Sequence, residues 1–226
     1  MNFNDPLFGI VVTGLAYMAG LAVNRKWPAI HPLLVAAGGI IVFLAATGIP
    51  YEAYKVGGDW IEVLLGPATI ALGVPFYKNM RRLRHSLAPL LASVSAGTAA
   101  GMASAACLVW ALGGDRTLVP AMMAKSVTTP IAMDIARMLG GKPELAAVFA
   151  VITGLFGSVC GPAFLKLCGV RDDVSVAAAV GTAAHGIGTG RLVRESELRG
   201  SVSGLAMTIA GIAGSLFAAV LALIGG

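Results

Sequence analysis

Met122-Met123-Ala124-Lys125-Ser126-Val127-Thr128-Thr129-Pro130-Ile131-Ala132-Met133-Asp134, near the middle of the chain, decides how the rest is read. It lies in an apolar run, Thr117 to Leu139, about long enough to cross a bilayer. Yet it holds a lysine, an aspartate, three hydroxyls and a proline. In a lipid-facing helix each central charge costs roughly 2.5 to 3.5 kcal/mol on insertion scales, so such groups face protein or a water-filled cavity. Pro130 has no N–H, which leaves the Ser126 carbonyl without its helical partner and biases Thr129 away from helical angles. The helix is expected to break near Thr128-Thr129. A break at membrane depth survives where it is buried in protein or lines a cavity, and it exposes one half-helix's donors and the other's carbonyls. The alternative is a proline-kinked helix whose hydroxyls bond to their own turn and whose Lys125 and Asp134 neutralise each other.

Composition sets the surroundings of this stretch. The 226-residue chain is 57% hydrophobic and 12% charged with a mean hydropathy of +0.84, against roughly a quarter charged in soluble domains. Apolar runs of membrane-spanning length fill it, separated by short polar joints, so an all-α polytopic membrane protein in the lipid bilayer is expected. No part outside the bilayer is large enough to be an enzyme. The net charge of +5 gathers in the joints instead of one patch, which reads as topology signal and not as nucleic-acid binding. Cys107, Cys160 and Cys168 are expected to be buried, reduced and apolar in behaviour. His31, His85 and His185 lie far apart without paired carboxylates, so neither a metal site nor a cofactor is implied.

Eight segments follow from the runs Pro6 to Val23, Ala29 to Ile49, Trp60 to Tyr77, Ala88 to Gly113, Thr117 to Leu139, Leu145 to Cys168, Val174 to Leu192 and Gly204 to Ile224. The first is read as a retained span, since its basic residues follow the apolar run. Two or three segments are expected to be broken or re-entrant. Trp60 to Tyr77 carries Gly66-Pro67-Ala68-Thr69 and Gly73-Val74-Pro75, and Val174 to Leu192 carries His185-Gly186-Ile187-Gly188. A mixed loop through Glu52, Lys55 and Asp59 precedes the third run. The most basic joint, Lys78 to His85, is expected in the cytoplasm. If all eight segments cross, the joints after the first, third, fifth and seventh share one side. A re-entrant segment changes that count.

The chain also resembles itself at an offset of about 114 residues. Leu91-Ala92-x-x-x-Ala96-Gly97-x-Ala99 recurs as Leu205-Ala206-x-x-x-Ala210-Gly211-x-Ala213, and Gly66-x-Ala68-x-x-x-x-Gly73 recurs as Gly181-x-Ala183-x-x-x-x-Gly188. Two membrane repeats, 1–113 and 114–226, are expected. Broken segments at corresponding places in two halves point to a transporter site at the repeat interface.

Each candidate residue has a bland alternative. His185, among glycines, suits a carboxylate or a proton relay near neutral pH, or else it is packed with one nitrogen on a neighbouring carbonyl. Arg191 clamps an anion or snorkels to the interface. Asp134 and Arg137 are spaced to pair on one helix face. The glycines at 186, 188 and 190 have no preceding strand, so they are not a nucleotide fingerprint.

At these residues the chain resembles the LrgB/CidB family. Lys125-Ser126-Val127-Thr128-Thr129-Pro130-Ile131-Ala132, Gly66-Pro67-Ala68-Thr69-Ile70-Ala71-Leu72-x-Val74-Pro75-x-Tyr77-Lys78 and His185-Gly186-Ile187-Gly188-Thr189-x-Arg191 carry the likeness, with Gly190 where alanine is expected. The family includes antiholin-like regulators of murein hydrolase export and is similar to the C-terminal part of the plastid glycolate/glycerate translocator. The resemblance implies a multi-pass protein of the bacterial inner membrane carrying small monocarboxylates such as glycolate, glycerate or pyruvate, with proton coupling and alternating access. The alternative it implies is an antiholin-like regulator of a holin-type partner and of autolysis. A small LrgA/CidA-type membrane partner belongs to either reading, and the small-residue helices are compatible with a homodimer. Carried over residue by residue, the substrate site is Lys125, Ser126, Thr128, Thr129, Pro130, His185, Gly186, Gly188, Thr189 and Arg191, supported by Pro67 and Thr69. His185 or Asp134 would carry the coupling proton.

Overall fold

The computed structural model describes residues 5–27, 30–64 and 87–225, with residues 67, 70, 71, 74, 77 and 78 between them. Among these residues every regular element is helical. Four helices are long and apolar enough to cross a membrane, and the chain is a membrane protein. It divides into two compact units, residues 1–71 and 72–226.

In the first unit, α1 (Pro6–Lys26) packs against α2 (Pro32–Thr47) and α3 (Tyr51–Val63). Asp5 caps α1 by accepting from the Leu7 N–H at 2.9 Å, and prolines open α1 and α2, where a missing N–H costs nothing. A Cβ at Gly9 would lie 2.8 Å from the Gly57 Cα, so α1 and α3 touch backbone to backbone. The Thr13 and Tyr54 hydroxyls bond at 2.9 Å beside that crossing. The expected loop through Glu52, Lys55 and Asp59 is therefore helix α3. Its charges sit on an exposed face, where Lys55 and Asp59 pair one turn apart, while Ala53 and Gly57 are buried. Four charged residues in thirteen hid its period.

The second unit is built on three long helices, α4 (Leu87–Ala111), α7 (Pro143–Leu167) and α9 (Glu197–Gly225). The expected break falls between them. After α5 (Leu118–Met123) and a 3-10 turn (Ala124–Ser126), Val127 and Thr128 are extended at ψ 173° and 148°, and α6 (Thr129–Met138) begins. Thr129 opens the new helix, so the break sits one residue earlier than expected. Pro130 lies in the first turn, where proline is tolerated, and so starts the second half-helix instead of ending the first. The segment then turns back on itself, because a Cβ at Gly141 would lie 2.7 Å from the Pro120 Cβ.

The second fold-back is α8 (Asp173–Glu195), interrupted at His185, whose φ is 39° and ψ −132°. In a straight helix, residues 180 and 188 stand about 12 Å apart along the axis. Here a Cβ at Gly188 would lie 3.3 Å from the Val180 carbonyl oxygen. At the far end Arg199 reaches both Asp173, in the first turn of α8, and Glu195, its last residue, at 2.6 and 3.2 Å. Both segments are helical hairpins, with tips at Val127-Thr128 and at His185. Legs of 9 to 12 residues are about 14 to 18 Å long, half the roughly 30 Å hydrocarbon core.

Packing gives the hairpins opposite directions. Along α7, Ala146 lies in the apolar cluster of the first hairpin, His185 meets Gly154, and Val180 meets Gly161. Along α9, Gly181 packs on the Ser203 carbonyl, Gly186 on Met207, Ile131 on Gly211 and Val127 on Gly214. Thus α4 and α9 both run from the open end of the second hairpin to that of the first, and α7 runs back. These two are the helices matched by the 114-residue offset, and they are parallel in sense. The same offset sets the unbroken α1 opposite the folded segment 120–142. Of the third run, residues 60–64, 67, 70, 71, 74 and 77 are described, and the rest, Thr69 among them, lie outside the described residues.

With two fold-backs, the joint at 139–142 lies at the opposite end from the joints at 168–172 and 194–199. At the latter end Lys78, the first residue of the most basic joint, approaches Glu197 at 3.9 Å. On the positive-inside tendency the open end of the second hairpin is expected in the cytoplasm. Cys107 and Cys168 are exposed and Cys160 half-buried, so the thiols are not the buried group expected. Cys168 therefore reports topology. With Cys107 and Cys160 replaced by alanine, Cys168 in intact cells should resist a membrane-impermeant maleimide until the membrane is permeabilised, whereas Arg116→Cys should react directly. The reverse pattern would invert the assigned orientation.

Candidate functional site

The two tips are the only described places where membrane-depth backbone leaves helical form inside the second unit, and both are enclosed. Val127 is 4% exposed and His185 3%, so neither interruption faces lipid. They share walls. Ala150 of α7 lies in the cluster that holds Ala124 and Val127, and its carbonyl receives the His185 Nε2 at 2.9 Å. The 3-10 turn packs on α7 and also touches α8, and the two tips share Ala150 as a common wall.

At the first tip, Lys125, Ser126, Thr128 and Thr129 are half-buried and Pro130 is exposed. The Lys125 Nζ donates to the Ser126 Oγ at 3.1 Å. Asp134 does not neutralise it. Asp134 pairs with Arg137 at 2.8 Å on an exposed face of α6, the bland role open to it from its spacing. Thr128 makes no side-chain cap, and Ala132 N–H is already on the Thr128 carbonyl at 2.8 Å. The Thr129 and Ile131 N–H groups precede any helical acceptor, so the positive end of α6 opens at the tip.

The second tip is differently built. A carbonyl only accepts, so His185 Nε2 carries a proton and donates it to Ala150. That is the packed alternative for His185, and it pins the turn to α7. Gly186 begins the returning leg and is exposed, which points a second helix N-terminus at the same region. Gly188 packs between the legs against Val180 and Ala184. Thr189 is fully buried with its hydroxyl on the Ser203 hydroxyl at 2.9 Å. Arg191 donates to the Ser158 carbonyl and to Glu195. In the second motif His185 Nε2, the Thr189 hydroxyl and Arg191 Nε and Nη1 have protein partners, while Gly186 is exposed.

Pro67 belongs to the first unit and is exposed, and Thr69 lies outside the described residues. A groove of about 750 Å3, lined by Ser93, Val94, Gly97, Ser175, Ala178 and Thr182, runs between α4 and the first leg of α8. It begins at Asp172 on the open end and reaches Ala183, two residues from the tip. Sequence reasoning missed it, because no motif marks the space between two Ala-rich faces. At its mouth Asp172 accepts from the Ser175 N–H at 2.8 Å and hydroxyl at 2.9 Å, which holds the carboxyl below the usual range. This cap supports the hairpin above ordinary carboxylate pH values, and its support is lost as pH falls through the lowered value.

The sequence profile of the LrgB-like family matches residues 13–224. This chain belongs to that family. Within the curated LrgB-like relatives, an uncharacterized Bacillus subtilis protein, YxaC, is 36% identical over 92% of this chain and 91% of its own. A Staphylococcus aureus protein named holin-like protein CidB is 26% identical over 99% of this chain and 98% of its own. No solved structure matches this LrgB-like chain.

The strained backbone at His185 allows a test. Left-handed φ at a non-glycine residue costs of order 1 to 3 kcal/mol, and here the Ala150 bond offsets it. His185→Ala keeps the cost and loses the bond, whereas His185→Gly loses both. In thermal unfolding of the detergent-solubilised protein His185→Ala should melt below both the parent and His185→Gly. A His185→Gly protein melting below His185→Ala would refute this account of the turn.

Proposed function

We propose that this protein is a secondary carrier of small monocarboxylates of the glycolate, glycerate and pyruvate kind. The observation that carries the reading is the meeting of two helix N-termini at enclosed hairpin tips, one of them bearing Lys125. Such ends bind anions through free N–H groups and the helix dipole. Thr128 and Thr129 hydroxyls, the Thr129 and Ile131 N–H groups and the backbone at Gly186 hold the carboxylate, while Lys125 and Ser126 supply charge and a further donor. Pro130 fixes the start of α6. His185, Gly188, Thr189 and Arg191 position the second tip and do not touch the substrate. A coupled proton resides on His185 Nδ1, since Nε2 is engaged and Asp134 is paired at the surface. The groove beside α8 gives a small acid a route from the cytoplasmic end. Pro67 and Thr69 stay candidates by their motif alone, and 1–113 and 114–226 are taken as repeats in the inner membrane.

The name holin-like, borne by a relative matched over nearly its full length, favours a second reading. In it the protein regulates a small LrgA/CidA-type pore partner, and through it autolysis, without carrying solute. Uptake of labelled glycolate or pyruvate into proteoliposomes separates the two. The carrier predicts saturable uptake. Removing one hydrogen bond to a charged carboxylate, worth about 1.5 to 3 kcal/mol, Thr129→Val should raise the half-saturation concentration about ten- to a hundredfold. Loss of a charged bond in Lys125→Met should raise it about tenfold or more. Absence of uptake by the parent protein, with an intact effect on a partner's pores, would favour the regulator.

A further inference from the structure

The two hairpins look alike in outline and differ in how they are fastened. The second is held to its neighbours by polar bonds along its whole length. His185 binds the Ala150 carbonyl of α7 at the tip, and Arg191 binds the Ser158 carbonyl of the same helix higher up. Thr189 binds Ser203 of α9, and Arg199 of α9 clasps Asp173 and Glu195, one from each leg. Gly181 lies so close to the Ser203 carbonyl that any side chain there would collide with backbone.

The first hairpin has no such ties. Among the described residues, its side-chain hydrogen bonds and ion pairs stay within itself, Lys125 to Ser126 and Arg137 to Asp134. What it buries is small or apolar: Ala121, Ala124, Val127, Ala132, Ile135 and Ala136. It lies on the glycine face of α9, where Ile131 sits over Gly211 and Val127 over Gly214. A smooth apolar face can move away without leaving a buried donor or acceptor unpaired. The second hairpin cannot move from α7 and α9 without breaking at least three cross-element polar contacts. Elements that move are drawn from the part of a structure with the least local stability.

We infer that the first hairpin is the gate of the site and the second its fixed seat. Opening withdraws the Lys125 to Pro130 tip from the His185 tip and exposes the site toward the open end of the first hairpin, while α8 stays bound to α7 and α9. The role as a gate rests on the carrier reading, but the difference in mobility does not.

Hydrogen exchange of the full chain in lipid nanodiscs, read by mass spectrometry, tests the difference directly. Peptides from 118–138 should exchange at least tenfold faster than peptides from 173–195, and glycolate should slow the former. Equal rates, or faster exchange in 173–195, would overturn the inference whether or not the protein transports. Uptake supplies the second measurement, in a background with all three cysteines replaced by alanine. Oxidising Val127→Cys with Gly214→Cys, which fastens the first hairpin to α9, should stop uptake, and reductant should restore it. Oxidising Val180→Cys with Gly161→Cys, which fastens the second to α7, should leave uptake within twofold. The opposite pattern would make the second hairpin the gate. If the unlocked proteins take up nothing, the carrier reading fails while the exchange contrast still decides which hairpin moves.

Discussion

A peptide group has no partner in hydrocarbon, and an interrupted helix leaves several such groups at the depth where water is absent. Everything in the second unit answers that constraint. Two chains of half-membrane length run inward from opposite ends, and their uncapped turns are placed against each other instead of against lipid. Three long helices, α4, α7 and α9, wall them in, and each touches both hairpins. The alanines and glycines that dominate these walls follow from the same requirement. Only small side chains let five helical pieces approach closely enough to bury two turns at one level.

The two turns meet the constraint in different ways. The tip at His185 satisfies its neighbours with fixed bonds, and a strained histidine holds it to α7. The tip at Val127-Thr128 is left with free N–H groups, hydroxyls and an ammonium not balanced by Asp134. An arrangement that sought only stability would have capped the Val127-Thr128 tip as fully as the His185 tip. The unbalanced end is where an anion belongs, and the bonded end is what gives that anion a constant place to be met.

The position of the first break was legible because Pro130 removes a donor and because Lys125 and the hydroxyls have no place facing lipid. Its form was less so. Whether a broken segment continues across or folds back depends on long-range packing, and the Pro120 to Gly141 contact joins residues whose meeting no local pattern announces. The glycines around His185 signalled a departure from helix, but Thr189 was read from a motif alone, and Arg191 as an anion clamp or an interface residue. Their partners Ser203 and Ser158 lie on other helices, in stretches with no distinctive spacing. Helix α3 was hidden because its charged residues break the apolar run, although their spacing one turn apart is itself helical. The thiols, expected inside because cysteine usually is, lie on outer faces, where lipid serves an apolar side chain equally well.

The account depends on the tips meeting. The most direct test is disulfide cross-linking in native membranes, in the cysteine-free background, of single cysteines at 124, 125 and 126 paired in turn with single cysteines at 184, 186 and 187. The account predicts that at least one pair closes rapidly under mild oxidant and that the substrate changes its rate. If none closes while the Val127→Cys and Gly214→Cys pair does, the first hairpin is in place but its tip does not face the second, and the site described here does not exist.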